Sequence, residues 1–179
     1  MIPVQLRLSG FLSYRHTVEL DFTSFELACI SGANGAGKSS LLDAITWSLF
    51  GQARKRDDSL INAQSEAAEV VFTFAYEDNV YRLRRASPRG KTSLLEFHIL
   101  QRDAQAGAEN LLSLDGLKGS WKPLTERTLR DTQALVESTL RMDYETFVNA
   151  SFFLQGKADQ FTQQKASDRK RILGSILGL

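Results

Sequence analysis

One run of eight residues sets the class of this protein: Gly32-Ala33-Asn34-Gly35-Ala36-Gly37-Lys38-Ser39. It matches the pattern G-x-x-x-x-G-K-[ST], in which a glycine-rich loop wraps the phosphates of a nucleotide. Residues 27–30, Leu-Ala-Cys-Ile, form an apolar run typical of a buried strand. Apolar residues then recur at helical spacing from Leu41 to Leu49, until Gly51 stops the helix. A strand, a loop and a helix in this order predict a phosphate-binding loop.

The residue types in the loop suit a triphosphate, which carries several negative charges but has few shape features for side chains to recognise. Backbone N–H groups have to bind it, and Gly32, Gly35 and Gly37 allow the positive φ angles that point successive amides inward. Asn34 tolerates the same left-handed geometry. Lys38 adds a full charge at the β- and γ-phosphates, worth about 4 kcal/mol at roughly 4 Å in an effective dielectric of about 20.

The predicted ligand is therefore ATP or GTP, together with Mg²⁺ held by the phosphates. We assign nucleotide binding to Gly32, Asn34, Gly35, Ala36, Gly37, Lys38, Ser39 and Ser40. The hydroxyl of Ser39 supplies one oxygen to the octahedral shell of the magnesium ion, and Lys38 also acts in catalysis.

Length and composition limit the number of domains, the kinds of metal site and the expected partners. With 179 residues and 42% hydrophobic content, the chain can bury one sizeable core and is expected to form one domain. The chain has a single cysteine, Cys29, which is expected to pack in the core. Because there is only one, disulfides within the chain and metal sites built from several cysteines are excluded. A net charge of +1 gives no whole-chain argument for a polyanionic partner. Residues 1–7 alternate in polarity without the apolar stretch of a signal peptide or membrane span, so we expect a cytoplasmic protein without a membrane partner.

The front half of the chain is predicted to be mostly strands. Residues 4–8 and 18–22 alternate between apolar and polar side chains and indicate an antiparallel hairpin. Residues 70–76 and 80–85 indicate a second hairpin, extended by residues 94–100. Residues 1–101 are thus expected to hold strands and the phosphate-loop helix.

The back half, residues 121–179, is predicted to be mostly helical. Apolar residues are spaced at helical intervals between Leu124 and Leu140, and an apolar stripe runs from Ser167 to Leu179. Because this stripe ends without a cap, we expect a longer helix and hence a fragment of a larger protein.

A complete hydrolase of this class also needs an acidic residue at the end of a buried strand to hold Mg²⁺. Residues 70–78 are the best candidate, but they alternate in polarity, whereas a central parallel strand is apolar on both faces. Residues 112–116, Leu-Ser-Leu-Asp-Gly, lack the adjacent glycines of an ABC-type signature. The alternation disfavours the first assignment, and we reject the second.

Four segments in colinear order carry a family resemblance: Gly10-Phe11-Leu12-Ser13-Tyr14, Ser40-Leu41-Leu42-Asp43-Ala44-Ile45, Phe153-Leu154-Gln155-Gly156 and Asp168-Arg169-Lys170-Arg171-Ile172-Leu173. The chain resembles the N-terminal half of an SbcC-type ATPase. These are DNA double-strand-break repair ATPases of the structural-maintenance-of-chromosomes (SMC) superfamily. The resemblance covers residues 1–179.

The resemblance implies an α/β fold of the P-loop NTPase class, an ABC-ATPase-like N-terminal lobe with an antiparallel β-subdomain and a helical segment leading to a coiled coil. Residues 1–179 would form the N-terminal lobe of a split head. The C-terminal lobe of the same parent chain would supply the signature motif and the acidic motif of the head. The implied partners are a second copy in an ATP-dependent homodimer, an SbcD-type metal-dependent nuclease and double-stranded DNA ends.

Two site residues depend on the resemblance. Gln155 maps onto the family's glutamine loop, which implies a catalytic role in contact with Mg²⁺ and the attacking water; alone it would be read as a solvated loop residue. Several relatives carry an arginine at the position of Leu12, so that phosphate contact does not carry over to this chain. Arg15 replaces it only if its loop reaches the nucleotide.

A basic run lies on and after the second hairpin: Arg82, Arg84, Arg85, Arg89 and Lys91. Family members present a DNA-facing surface there, which favours contact with phosphate backbones. A solvated hairpin face would have the same pattern, so both interpretations stay open. The later run of Lys165, Arg169, Lys170 and Arg171 is interpreted as the polar side of the exit helix.

The first functional hypothesis is an ATPase lobe that closes with a second head on ATP and regulates a nuclease at DNA ends. Alone, the fragment is expected to be nearly inactive. The alternative is a condensin-like or recombination-mediator SMC head that entraps DNA without a nuclease. A transporter ATPase is disfavoured by the coil-like exit helix.

Overall fold

The computed structural model describes residues 1–55, 57–101, 117, 119–151, 165–167, 169–170 and 174. The chain divides into two compact units, Met1–Gln133 and Ala134–Leu179. The elements in chain order are β1 Ile2–Ser9, β2 Val18–Asp21, α1 Lys38–Phe50, β3 Ala67–Tyr76, β4 Asn79–Pro88, β5 Leu94–Gln101, β6 Ser120–Pro123, α2 Leu129–Leu140 and α3 Tyr144–Ser151. A short 3₁₀ turn, Asp57–Leu60, lies between α1 and β3.

The first unit is built on a six-stranded sheet in the order β2-β1-β3-β4-β5-β6. Every strand pair in the described part of the chain is antiparallel. Both predicted hairpins are confirmed, with Gln5 opposite Asp21 in one and Tyr76 opposite Asn79 in the other. Residues 70–78, disfavoured as a central parallel strand, indeed form none, because β3 lies between two antiparallel neighbours.

One face of the sheet is apolar and carries α1. Leu6, Phe72, Leu83 and Phe97 lie opposite one another across four strands, and all four are fully buried. The ring of Phe74 stacks on that of Tyr81 at a centroid distance of 5.8 Å. Since α1 packs against β3 and β4, this face anchors the helix that follows the phosphate loop.

The other face combines a small apolar cluster with charged cross-strand pairs. The cluster consists of Val4, Ala75, Val80 and Leu100, with Leu117 and Trp121 packed against it. The guanidinium of Arg82 lies 3.8 Å from the centre of the Trp121 ring. Arg84 forms ion pairs of 2.6 Å with Glu69 and 3.2 Å with Glu96. Carboxylates of the two neighbouring strands therefore neutralise the charge of Arg84 within the sheet.

The segment before the phosphate loop differs from its prediction. Residues 27–30 form no strand, Leu27 is 92% exposed and Ile30 is 51% exposed. Cys29 is exposed as well. The predictions of a buried strand and of a core cysteine are therefore wrong for this structure. An apolar strand is buried only when neighbouring strands cover it, and no described strand lies beside this segment.

The helices begin and end where local chemistry favours it. Gly51 ends α1 in the left-handed conformation (φ 69°) and donates its N–H to Trp47 O at 2.8 Å, as predicted. Thr128 caps α2 by accepting the N–H of Asp131 at 3.1 Å. β6 was not predicted, because four residues ending in proline are too few to show a period.

The predicted exit helix is described at only a few positions. Residues 166, 167, 169, 170 and 174 have helical backbones, and the rest of the segment 167–179 lies outside the described residues. Within the described part of the chain, no helix combines the length and the apolar character that crossing a bilayer requires.

Two glycines with similar positive φ angles provide a matched test of the fold. A Cβ at Gly10 (φ 59°) would lie 1.9 Å from Ala67 O, whereas one at Gly90 (φ 66°) would meet nothing within 4 Å. Gly90→Ala is expected to cost only the left-handed strain of about 1–2 kcal/mol. Gly10→Ala is expected to cost at least about 2 kcal/mol more, because backbone must move. Urea unfolding measures both, and equal losses would contradict this packing.

Candidate nucleotide-binding site

The phosphate loop has the backbone geometry that its glycines predict. Gly32, Gly35 and Gly37 have φ angles of 150°, 85° and 94°. Residues 31–36 are exposed, and a Cβ added at Gly35 would meet nothing within 4 Å. Asn34 was expected to tolerate the left-handed conformation but does not adopt it. The loop therefore leaves its backbone accessible to a ligand.

The start of α1 lacks the features that normally complete a helix N-terminus. Gly37 is the N-cap and makes no side-chain cap hydrogen bond, and the first turn contains no acidic residue. Ser, Thr, Asp and Asn are preferred at this position because their side chains accept the first N–H groups. An anion such as a phosphate takes that role at helix N-termini behind glycine-rich loops. The donors here fit a phosphate group.

Lys38 reaches back over the loop. Its ammonium group donates to Gly32 O at 2.6 Å and to Ala33 O at 2.8 Å. These neutral carbonyls hold the cation on the loop, where a phosphate oxygen would be a charged and therefore stronger acceptor. The structure thus brings together the cation, the uncapped helix and the exposed loop backbone.

A tight turn packs on the first residues of α1. Phe11 and Tyr14 exchange backbone hydrogen bonds of 2.9 and 2.8 Å. The hydroxyl of Ser13 lies 3.4 Å from that of Ser40, and the hydroxyl of Tyr14 donates to Gly37 O at 3.4 Å. A Cβ at Gly37 would lie 3.2 Å from the Ser13 side chain. Gly37 is therefore needed for this close approach as well as for its φ angle, which the motif alone did not indicate.

The tip of this turn is held in an unusual conformation. Leu12 has a φ of 49°, which costs a non-glycine residue about 1–2 kcal/mol. Its N–H donates to Leu60 O at 2.8 Å, and the side chain of Asn62 donates to Leu12 O at 2.7 Å. The guanidinium of Arg15 donates to Gln64 at 2.8 Å. In this structure the guanidinium of Arg15, the candidate to replace the family arginine, is therefore hydrogen-bonded to Gln64.

The basic run on the second hairpin is divided among several environments. Arg84 is ion-paired, Arg85 is buried, and Arg82 lies over Trp121. Burial lowers the pKa of the Arg82 guanidinium below its usual value. Arg89 and Lys91 are exposed at the turn after β4. Of the five residues, these two are the ones that the fold leaves exposed to solvent.

The described residues contain no cluster of metal-binding side chains. Among the described residues, no group of three or more His, Cys, Asp or Glu side chains could hold a metal ion. Asp43 on α1 forms an ion pair of 2.7 Å with Arg54.

The predicted glutamine loop cannot be compared with the structure. Gln155 and the segment around it, residues 152–164, lie outside the described residues, as do residues 112–116. The assignment of Gln155 stays a prediction.

The fold and this loop define the class of the chain: an α/β domain with a phosphate loop of the nucleotide-binding type. Comparison with known proteins gives the family. The chain belongs to the AAA domain family, whose sequence profile matches residues 5–177. The predicted fold class, a P-loop ATPase domain with an antiparallel sheet, is confirmed.

Individual proteins of known type show which members of this family the chain is similar to. The C subunit of the nuclease SbcCD of Deinococcus radiodurans is 31% identical over 185 aligned residues, which cover all of this chain and 19% of that protein. The DNA double-strand break repair Rad50 ATPase of Thermoplasma volcanium is 29% identical and covered to 18%. The corresponding SbcCD protein of Bacillus subtilis is 27% identical and covered to 16%. The chain thus spans less than a fifth of these relatives' length, and it matches an N-terminal ATPase fragment of the SbcC type.

The contact of Tyr14 with the phosphate loop can be tested through pH. Burial raises the pKa of its hydroxyl above the usual value of about 10. The stabilisation of the neutral phenol is therefore complete below about pH 10 and is lost as the pH rises through the raised pKa. Replacing Tyr14 by Phe should remove phenolate absorbance that develops above about pH 10. A loss of absorbance confined to lower pH would contradict the burial of this hydroxyl.

Proposed function

We propose that the chain is the ATP-binding lobe of an SbcC-type DNA-repair ATPase. The observation that carries this proposal is the uncapped start of α1 behind the exposed phosphate loop, with the Lys38 ammonium lying on that loop. In this proposal the nucleotide is bound by Gly32, Asn34, Gly35, Ala36, Gly37, Lys38, Ser39 and Ser40. Lys38 neutralises charge that develops on the phosphates during hydrolysis.

Mg²⁺ would belong to the proposed site because it would offset the negative charge of the phosphates, as it does in phosphate-loop ATPases. Ser39, in the first turn of α1, would provide one oxygen ligand, and Gln155 a second contact. Ser39 follows Lys38 directly in the sequence, and this is the motif position whose hydroxyl binds Mg²⁺. Gln155 would also orient the attacking water.

The C-terminal lobe of the same parent chain is the first proposed partner. Phe25, Leu27 and Ile30 are exposed immediately before the phosphate loop. An exposed apolar segment that belongs to no described strand is a suitable place for strand addition. We propose that a strand of the C-terminal lobe pairs with residues 25–30 and brings the missing acidic residues to the nucleotide. The two lobes together would form the head, with residues 1–179 as its N-terminal part leading to a coiled coil.

The remaining partners are proposed from the names of the relatives. One relative belongs to the SbcCD nuclease, and another is a double-strand break repair ATPase. By analogy, we propose that two copies of this head dimerise on ATP in the cytoplasm, bind double-stranded DNA ends and regulate an SbcD-type nuclease. The exposed Arg89 and Lys91 suit contact with phosphate backbones. These names favour the repair role over the condensin-like alternative.

Removal of the phosphate-loop cation tests the binding site. Lys38→Ala is expected to weaken the binding of a fluorescent ATP analogue by about 100-fold or more, because a charge interaction of about 4 kcal/mol is lost. Lys91→Ala removes the same charge from an exposed turn and serves as the matched control, with unchanged affinity expected. Equal affinity of the Lys38 variant and the wild type would disprove the assignment.

Complementation tests the split head. Residues 1–179 alone should hydrolyse ATP at a rate about 10² to 10⁴ times below that of the full-length protein, because in this proposal the carboxylate that activates water belongs to the C-terminal lobe. Co-expression with the C-terminal lobe should restore hydrolysis. An ordinary turnover of about 1–100 s⁻¹ by residues 1–179 alone would rule out a split catalytic centre.

A further inference from the structure

Arg85 is a charged residue in an apolar environment. It lies on β4 opposite Val70 of β3 and Leu95 of β5, on the sheet face that packs against α1, and it is only 4% exposed. Burying a guanidinium is unfavourable unless its N–H groups find acceptors. The partners of this side chain therefore indicate why an arginine occupies the position.

Those partners lie at the end of α1. The Nε of Arg85 donates to Ser48 O at 3.3 Å, and the guanidinium carbon lies 5.9 Å from the centre of the Trp47 ring. The last turn of α1 contains no basic residue of its own. Arg85 thus supplies, from the sheet, the positive charge that stabilises the C-terminal end of a helix.

Gln133 joins this contact from the N-terminal half of α2. Its side-chain oxygen accepts a hydrogen bond from Nη2 of Arg85, and its side-chain nitrogen donates to Leu49 O at 3.0 Å. Gly51 leaves the required space, since a Cβ there would lie 3.2 Å from Nη1 of Arg85. One amide side chain therefore binds both the sheet arginine and a terminal carbonyl of α1.

We propose that Arg85 and Gln133 are positioning residues that couple nucleotide binding at the start of α1 to helix α2. The inference rests on the proposed nucleotide site and adds a route by which its occupancy is transmitted. A 13-residue helix is a rigid rod about 20 Å long, so a shift of its N-terminal end displaces its C-terminal end. Arg85 and Gln133 hold that end, and Gln133 belongs to α2 itself. Such coupling is reciprocal between the two sites.

The test uses the full-length protein with and without ATP, and reads amide hydrogen exchange in α1 and α2. Gln133→Leu keeps the size of the side chain but removes its hydrogen bonds to Arg85 and to Leu49 O. Arg84→Met is the matched control for Arg85→Met, because both remove one charge from adjacent positions of β4, while Arg84 pairs with Glu69 and Glu96 on the other sheet face. Binding of a fluorescent ATP analogue is measured in parallel for every variant.

In the wild type and in Arg84→Met, ATP should slow exchange about fivefold or more in both helices. In Gln133→Leu, ATP should still bind and protect α1, while the response of α2 is lost. Arg85→Met should lose the α2 response in the same way; if this variant does not fold, Gln133→Leu decides the question. An undiminished α2 response in Gln133→Leu overturns the coupling but leaves the ATP site intact. Absence of ATP binding in the wild type would instead refute the proposed function.

Discussion

The unsatisfied backbone groups at the two ends of α1 are the constraint on which this structure depends. A helix leaves its first N–H groups and its last carbonyls without partners inside the helix. At the C-terminal end, Gly51, Arg85 and Gln133 supply the partners. At the N-terminal end, Gly37 supplies no side-chain cap, and the phosphate loop leads directly into the helix. The helix is thus completed by protein at one end and is suited to an anion at the other.

The antiparallel sheet makes this arrangement possible because its two faces differ. One face is a continuous apolar surface from Leu6 to Phe97, and it carries α1 at a defined position. Arg85 interrupts that surface only where the end of α1 requires a donor. The opposite face pairs Arg84 with Glu69 and Glu96, so that adjacent arginines of one strand serve different purposes. Alternation along β4 explains this division, since successive side chains point to opposite faces.

The predictions were most accurate where structure is determined over short distances. The two hairpins and α1 follow from periods of two and 3.6 residues, and Gly51 ends α1 by its own conformational freedom. Residues 27–30 have the composition of a buried strand but are exposed, because burial requires strands that lie elsewhere. The packing of Tyr14 on Gly37 joins positions 23 residues apart, and no local pattern encodes such a contact. The role of Gln155 remains a prediction from resemblance.

The phosphate loop could be recognised from the amino-acid sequence alone. The spacing of Gly32, Gly35, Gly37 and Lys38 has a chemical meaning within eight consecutive residues, so no distant partner is needed to recognise it. The roles of the arginines of β4 became visible only in the folded chain. An arginine on a strand has the same local pattern whether it contacts solvent, a carboxylate or a helix end. Its partner belongs to another part of the chain, Glu69 for Arg84 and α1 for Arg85, and only folding brings them together.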